Sequence, residues 1–410
     1  MSTYNSEVIR PGDRASALAK EVGYSSHNNN ASVEIIPRQP DNFRGPVDFS
    51  WNDHILSEMM ERSLEVNGKT MTRKLSMGVE NDGAGGKPQF FTLVGTPEVF
   101  QHLGWEIITM TADDFARSGR FPAVIANEIN TKYITDNNYH LFEAMMLGYG
   151  RALEQAGLVN ITGETAVMKN SITAFCDANS DDQLILTWGA TCIGLTRRDM
   201  LIDGSRIKPR MPIIGLGEHG YRCNGGGFYT EMMVKQWGPD AHLMLQCDAA
   251  REFAQELTIP STSYARAITS MIGWNDDGSK STPKAIIHGA AHITGGGVWG
   301  KLPEALPNGI GAFLHSMPEP NDILELGFRA SQWQGNPISE WEAYRILHGG
   351  TGMLLIAEDE KNAETVIEHA ASHEINAFVV GETIESTDKE IIINSKFGKR
   401  TQKMSSLTPF

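Results

Sequence analysis

Ala291-His292-Ile293-Thr294-Gly295-Gly296-Gly297 ends an apolar run on three bare backbone positions in a row. With no side chains in the way, the N–H groups of such a triplet can lie against phosphate or another anion. Upstream stands Asp82-Gly83-Ala84-Gly85-Gly86-Lys87, which places a carboxylate, open main chain and a lysine close together. Those are the parts of a metal–phosphate site. The two motifs predict two lobes meeting over a phosphorylated substrate and a nucleotide.

The chain has 410 residues, enough for two domains or three, and 40% hydrophobic residues, ordinary for a globular protein. A net charge of −15 argues against a nucleic-acid partner, which calls for a basic face. It leaves phosphate ligands open, because backbone N–H groups, lysines and Mg²⁺ bind them locally. Cys176, Cys192, Cys223 and Cys247 show no CxxC spacing, so a zinc site or redox dithiol is not expected. Four free thiols, a polar start without an apolar segment, and only short apolar runs predict a cytoplasmic protein with no membrane span.

Residues 1–45 are rich in Asn, Ser, Pro and charge and read as an arm with little core of its own. Residues 46–207 and 208–396 read as the two lobes, with their boundary where charge, Gly and Pro cluster, and 397–410 as a frayed tail. The spacing predicts helices over 53–66, 139–156, 248–257 and 363–372. Asn138 is expected to cap the second of these and Gly157 to stop it. Strands are expected over 69–79, 182–195 (one or two), 213–216, 352–357 and 377–380, and residues 285–294 lead into the Gly triplet. Ser339 with Glu342 forms a capping box for a further helix. Strands and helices mix in both halves, which implies an α/β or α+β fold in two domains.

Several residues carry candidate chemistry. Asp82 is suited to Mg²⁺, Gly83 and Gly85 to close approach of a polyphosphate, and Lys87 to a phosphate oxygen. The alternative is an ordinary hairpin turn, because Asp-Gly favours one. Asp113 and Asp114 are adjacent acids that point different ways on a helix, so one can face a metal; Glu106 lies upstream. Alternatively, they are acids at a helix N-terminus. Gly163-Glu164-Thr165 ends a strand-like run, where Glu164 can complete an oxygen cage. His292 beside Thr294 and the triplet suits proton transfer, whereas His288 reads as structural. Gly215-Leu216-Gly217-Glu218-His219-Gly220 has the dinucleotide spacing GxGxxG, but Asn224-Gly225-Gly226-Gly227 follows where that motif needs a helix to begin. A Gly-rich phosphate loop is the preferred reading there.

Together these motifs resemble the aminoimidazole ribonucleotide synthetases, also called phosphoribosylformylglycinamidine cyclo-ligases. Asp82-Gly-Ala-Gly-Gly-Lys87 is similar to the family's D-G-x-G-T-K, and Gly163-Glu164-Thr165-Ala166 to its G-G-E-T-A. The 291–297 stretch, followed by Leu302-Pro303 and Leu306-Pro307, is similar to H-I-T-G-G-G and L-P-x-x-L-P. Tyr344-Arg345 and Gly350-Thr351-Gly352-Met353 resemble a late M-x-R-x-F-x-x-G-x-G-M segment. The resemblance covers roughly residues 70–385. It implies a two-domain α/β fold and a homodimer whose N-terminal sheets associate. It implies ATP-driven closure of formylglycinamidine ribonucleotide to aminoimidazole ribonucleotide, in purine biosynthesis. By position, Asp82, Asp114, Glu164 and Glu106 would hold Mg²⁺, with Gly83, Gly85, Lys87, Gly163 and Thr165 around ATP. Asn224, Gly225, Thr294, Gly295, Gly296 and Gly297 would face the substrate ribonucleotide, with His292 and Lys87 catalytic.

The chain also departs from the family. Gly86 replaces a Thr, Thr162 a Gly and Val167 an acid. Tyr221-Arg222-Cys223-Asn224-Gly225 stands in place of H-S-N-G. Fold and nucleotide use tolerate these changes better than substrate identity does. The alternatives are another ATP-dependent enzyme of this superfamily, a nicotinamide oxidoreductase on the 215–220 motif, and a nucleotide-binding regulator without catalysis.

Overall fold

The computed structural model describes residues 10–36, 48–66, 69–318, 331–332, 344, 348–395 and 398–403. Helix α1 (Pro11–Ser25) precedes strands β1 (Val33–Ile36) and β2 (Asp48–Trp51), which pair antiparallel. Helix α2 (Asp53–Met60) begins on Asn52, whose side chain accepts the Ile55 N–H. A hairpin of β3 (Arg62–Val66) and β4 (Lys69–Arg73) follows. The helix expected over 53–66 therefore stops at Met60: Glu61 is extended, and the alternation Arg62-Ser63-Leu64-Glu65-Val66 suits a strand.

The first large sheet has the order β5 (Leu75–Gly83), β8 (Leu186–Arg197), β6 (Phe121–Thr131), β7 (Val159–Val167). Only the β6–β7 pair is parallel. Helices α3 (Pro88–Val94), α4 (Pro97–Ala116) and α5 (Tyr139–Ala156) belong to this half. Helix α4 packs on β5, β6 and β8, and α5 packs on α4. The two helices meet at bare backbone. A Cβ on Gly148 would lie 1.8 Å from the Gln101 carbonyl oxygen, and one on Gly104 2.4 Å from the Tyr149 nitrogen. Helix α5 has the expected span and ends at Gly157 with φ 65°. Asn138 does not cap it. Its side chain accepts the Thr135 N–H and donates to the Tyr133 and Gln183 carbonyls.

Residues 10–36 are no coreless arm. Helix α1 buries Ala15 and Val22 and runs along β7, with Gly12 beside Val167 and Gly23 beside Asn160. The Asn160 N–H donates to Ser26 Oγ at 2.8 Å. The helix thereby covers an edge that would otherwise offer unpaired backbone to another chain.

The second half carries helices α6 (Gly226–Trp237), α7 (Ala241–Leu245), α8 (Asp248–Leu257), α9 (Ala265–Met271), α10 (Gly297–Ala305) and α11 (Glu360–Ala371). Its sheet has the order β10 (Ile287–His292), β12 (Thr351–Ala357), β9 (Pro212–Gly217), β13 (Ala377–Glu385), β11 (Ile310–Leu314), β14 (Ile391–Ser395), β15 (Gly398–Gln402). Strand β15 corrects the expectation that the tail is frayed from 397 on. The capping box at Ser339 and Glu342 lies outside the described residues. Strand β9 has antiparallel neighbours on both sides. A dinucleotide fold places its glycine motif in a parallel βαβ unit, so that reading of 215–220 is overturned. The Asn224 run, expected to oppose a helix, instead opens α6 at Gly226.

One apolar core joins Leu103, Ile107 and Trp188 of the first half to Ile268, Leu355 and Val366 of the second. A second core, including Ile213, Val298, Trp299 and Leu354, lies in the second half. Among the described residues no helix is long and apolar enough to cross a membrane. Overpacking the α4–α5 contact tests this arrangement. Gly148→Ala is expected to lower stability by about 3 kcal/mol, read from denaturant unfolding; an unchanged midpoint would refute the close crossing.

Candidate active site

Three glycine-rich loops from distant parts of the chain meet. The 82–87 loop follows β5, and a Cβ on Gly85 (φ 53°) would lie 2.8 Å from the Cys223 carbonyl oxygen. One on Gly226 would lie 3.4 Å from the Gly86 backbone. Only glycine allows this approach and this φ. From the other side, a Cβ on Gly295 would lie 3.3 Å from Asn224 Oδ1. Gly297 N–H closes a turn on the Thr294 carbonyl at 2.9 Å, with Gly296 and Gly297 at φ 90° and 60°. The triplet thus turns left-handed into α10, whose N-terminal N–H groups favour anions. Gly225 (φ 94°) caps α6 in the same way.

Two carboxylates stand at this junction. Asp82 Oδ1 accepts its neighbour's Gly83 N–H at 2.7 Å. Burial raises the Asp82 pKa, the Gly83 N–H opposes this, and the charge of Asp114 adds to the rise; Arg222 and Lys301 also lower it. Asp114, in the last turn of α4, accepts Arg117 Nε at 2.8 Å and faces His292 Nδ1 at 2.9 Å. Burial raises its pKa, but the His292 bond and the charges of His292 and Arg117 prevail and bring it to about 2. Both donors fall on Oδ1, and Asp82 likewise uses Oδ1, so among the described residues the second oxygen of each acid has no hydrogen bond. Two carboxylates completed by substrate phosphates suit Mg²⁺, which usually takes one or two from protein.

The other expected metal ligands do not join them. Glu106 is wholly buried. Its Oε1 accepts Lys87 Nζ at 2.7 Å and the Ser261 N–H at 2.9 Å; its Oε2 accepts the Ser261 hydroxyl at 2.7 Å and the Cys223 thiol at 3.2 Å. With both oxygens engaged, Glu106 is the counter-ion of Lys87. Gly163, Glu164 and Thr165 lie on β7, at the opposite edge of the sheet from β5. In register, Asp82 faces Ala190, which faces Asn127, which faces Gly163. Three strand spacings of ~4.8 Å put Glu164 roughly 14 Å from the 82–87 loop. Among the described residues no three His, Cys, Asp or Glu side chains form a metal-binding group.

Lys87 also departs from expectation. It is fully buried, and besides Glu106 its ammonium donates to the Ile259 carbonyl at 2.8 Å and lies 4.8 Å from the centre of the Tyr221 ring. It ties the first loop to the second half, rather than reaching out for a phosphate. Lys301, one turn into α10 and partly exposed, is a second cation of the rear lobe, after Arg222, whose charge acts on Asp82.

His292 is buried with both ring nitrogens engaged: Nδ1 by Asp114 and Nε2 by Arg222 Nη2 at 2.6 Å. Burial first, then the Arg222 charge, hold its pKa down to about 4 against the pull of Asp114, so it is neutral at pH 7. A ring without a free nitrogen does not fit the expected proton transfer. Arg222 itself is fully buried. It donates from Nη1 to Glu218 Oε2 at 2.6 Å and to the Thr262 carbonyl at 2.7 Å, and from Nη2 to Asp113 Oδ2 at 2.8 Å. Arg222 and Cys223 both occupy left-handed backbone (φ 55° and 60°), a strained state for non-glycine residues. Of this group, Glu218 and Arg222 are four residues apart but in a loop rather than on a helix, so their spacing gives no readable signal. Ser261 and Thr262 contribute partly through backbone atoms and carry none either.

Removing the charge of Glu106 separates counter-ion from metal ligand. Glu106→Gln is expected to cost roughly 3–5 kcal/mol of unfolding free energy by breaking a buried pair. The Mg²⁺ concentration for half-saturation should stay the same, and a shifted Mg²⁺ dependence with full stability would reverse the assignment.

The model of the AIR synthase related protein, N-terminal domain, matches residues 70–196, and that of its C-terminal domain matches 271–394. A phosphoribosylformylglycinamidine cyclo-ligase of Sorangium cellulosum is 27% identical over 311 residues, covering 75% of this chain and 80% of that protein. Among solved structures, E. coli HypE, a hydrogenase maturation protein, superposes with a TM-score of 0.52 at 15% identity, over 96% of this chain and 98% of that one. T. maritima PurL complexed with FGAR gives a TM-score of 0.48 at 16% identity; 81% of this chain is covered, and it spans 45% of that longer one. With both domain models matched in order along one chain, the protein belongs to the AIR synthase related family.

Proposed function

We propose that this protein is an ATP-dependent cyclo-ligase that closes formylglycinamidine ribonucleotide to aminoimidazole ribonucleotide, releasing ADP and phosphate. The observation that carries the reading is the meeting of Asp82 and Asp114 with three glycine-rich loops. It is supported by relatives named as phosphoribosylformylglycinamidine cyclo-ligases. In the reaction, the formyl oxygen attacks the γ-phosphate of ATP and becomes a good leaving group. The amidine nitrogen then closes the five-membered ring as phosphate departs. Asp82 and Asp114 would hold Mg²⁺ through their spare oxygens, and the ion would supply charge neutralisation to the triphosphate. The 82–87 backbone and the start of α10 would bind phosphate oxygens, with Lys301 beside them. Asn224 and the Gly295–Gly297 turn would orient the ribonucleotide.

The replacement of H-S-N-G by a run containing the buried Arg222 favours a second reading: the same fold and nucleotide, with a different acceptor. Phosphate release with ATP plus formylglycinamidine ribonucleotide, set against ATP alone, separates the two. Substrate-dependent release supports the cyclo-ligase, and no release above the level with ATP alone would remove it. Asp82→Asn is expected to weaken MgATP binding, and an unaltered affinity would remove Asp82 from the site.

We further propose a homodimer through the open face of the first sheet. Met77 and Val79 on β5 are 61% and 59% exposed there. Isolated apolar side chains need no partner, but neighbouring ones on one strand face suit an interface. Val79→Asp is expected to yield monomers in light scattering. A wild-type protein that is already monomeric would end this part of the proposal.

A further inference from the structure

Arg222 reaches the acidic pair through an intermediary. A guanidinium can only donate. Its Nη2 lies 2.6 Å from His292 Nε2, so that nitrogen must accept. The single proton of the neutral ring then sits on Nδ1, which faces Asp114 Oδ1 at 2.9 Å. Arg117 Nε donates to the same oxygen. Two donors on Oδ1 leave Oδ2 of Asp114 without a hydrogen bond from the described residues.

We propose that Arg222 is a positioning residue: by donating to His292 Nε2 it fixes the tautomer that donates to Asp114 Oδ1, so that Oδ2 is presented to the ligand of the Asp82–Asp114 pair. The chain is Arg222, His292, Asp114, and only its last member faces the ligand. Arg222 is itself immobile. Glu218, Asp113 and the Thr262 carbonyl hold the other Nη donors of its fork, so the guanidinium cannot rotate away from the imidazole without breaking buried charged hydrogen bonds. The left-handed backbone at Arg222 and Cys223 delivers the side chain inward between the lobes. Carboxylates that hold a metal are themselves held by hydrogen bonds from outer groups, and His292 with Arg222 behind it would fill that place here. His292 is then a fixed donor rather than a proton carrier. The proposal rests on the reading of Asp114 as a holder of magnesium nucleotide.

Two measurements test it. The nitrogen NMR spectrum of His292 in the ligand-free protein at neutral pH should show a protonated Nδ1 and a bare Nε2. A protonated Nε2 would overturn the proposal. The second measurement uses His292 variants, because they leave Arg222 paired with Asp113 and Glu218, whereas truncating Arg222 strands both acids. Asparagine places an amide N–H near the position of Nδ1 and has nothing at Nε2; leucine has neither. MgATP titration should show H292L weakened roughly 10–100-fold, with H292N recovering most of that loss and both variants melting cooperatively. Equal losses in the two variants, or no loss in either, would overturn the proposal. A wild-type protein that binds no MgATP would strike the nucleotide reading under Proposed function, while the tautomer is still decided by the ligand-free spectrum.

Discussion

The buried guanidinium of Arg222 is the contact on which the junction of the two halves depends. Removing an arginine from water is expensive unless its donors are met and its charge is balanced. Here the front half supplies Asp113, and the rear half supplies Glu218, the Thr262 carbonyl and His292. No single segment could satisfy the group, so the charge is tolerable only when the halves are docked. A second buried pair, Lys87 with Glu106, lies in the same junction and is completed by Ser261 and Ile259 from the rear half. The two ion pairs make docking all-or-none: partial separation would leave charges in a low-dielectric gap with neither partners nor bulk water.

That docking explains why the ligand-facing surface is mostly main chain. The loops at 82–87, 224–227 and 294–297 approach each other to within a side chain's width, and glycine is required where a Cβ would strike a neighbouring carbonyl. Buried cations hold the loops from behind, and the bare backbone is left to face anions in front. Cations placed in front would have bound phosphate more directly. They would also have stood beside Asp82 and Asp114 and competed with a divalent ion for those carboxylates. With Lys87 withdrawn, the negative pair stays available. The Asp82 pKa is raised first by burial and then by the nearby Asp114, despite its Gly83 bond.

Much of the fold could be read from the residues. The 3.6-residue spacing over 139–156 and 248–257 matches α5 and α8 to the residue, because both bury one continuous stripe. The glycine motifs were legible as bare backbone for a phosphate; the structure adds that these bare stretches also lie against one another. Three things were not legible. The polar composition of residues 10–36 concealed a helix whose few apolar positions suffice to cover the edge of β7. The lysine and glutamate at 87 and 106 carry the right chemistry for a phosphate–metal site, and nothing local shows that each faces the other. The adjacency of Glu164 to the acidic pair fails because sheet order, β5-β8-β6-β7, is a long-range property. Motifs report local backbone well; which side chain meets which is set by pairings far apart in the chain.

Asp113 and Asp114 illustrate how the unexpected placement has a physical cause. One alternative for them is a place at a helix start, where the macrodipole favours acids. They lie instead at the end of α4, where it does not. The penalty is offset from outside the helix. Asp113 Oδ1 accepts the backbone N–H groups of Tyr264 and Ala265 at 2.8 and 2.7 Å, and so caps the first turn of α9. Its other oxygen takes Arg222. The C-terminal end of one helix thus meets the N-terminal end of another through a single carboxylate, and the two end charges compensate. Asp114 has no such helix to cap; its compensation is Arg117, His292 and a free oxygen. Of two neighbouring acids with the same local disadvantage, one is consumed by architecture and the other is left incompletely satisfied at the meeting point of three loops. An acid kept in an unfavourable place with one oxygen unspent is the feature that most directly separates a site from a scaffold here.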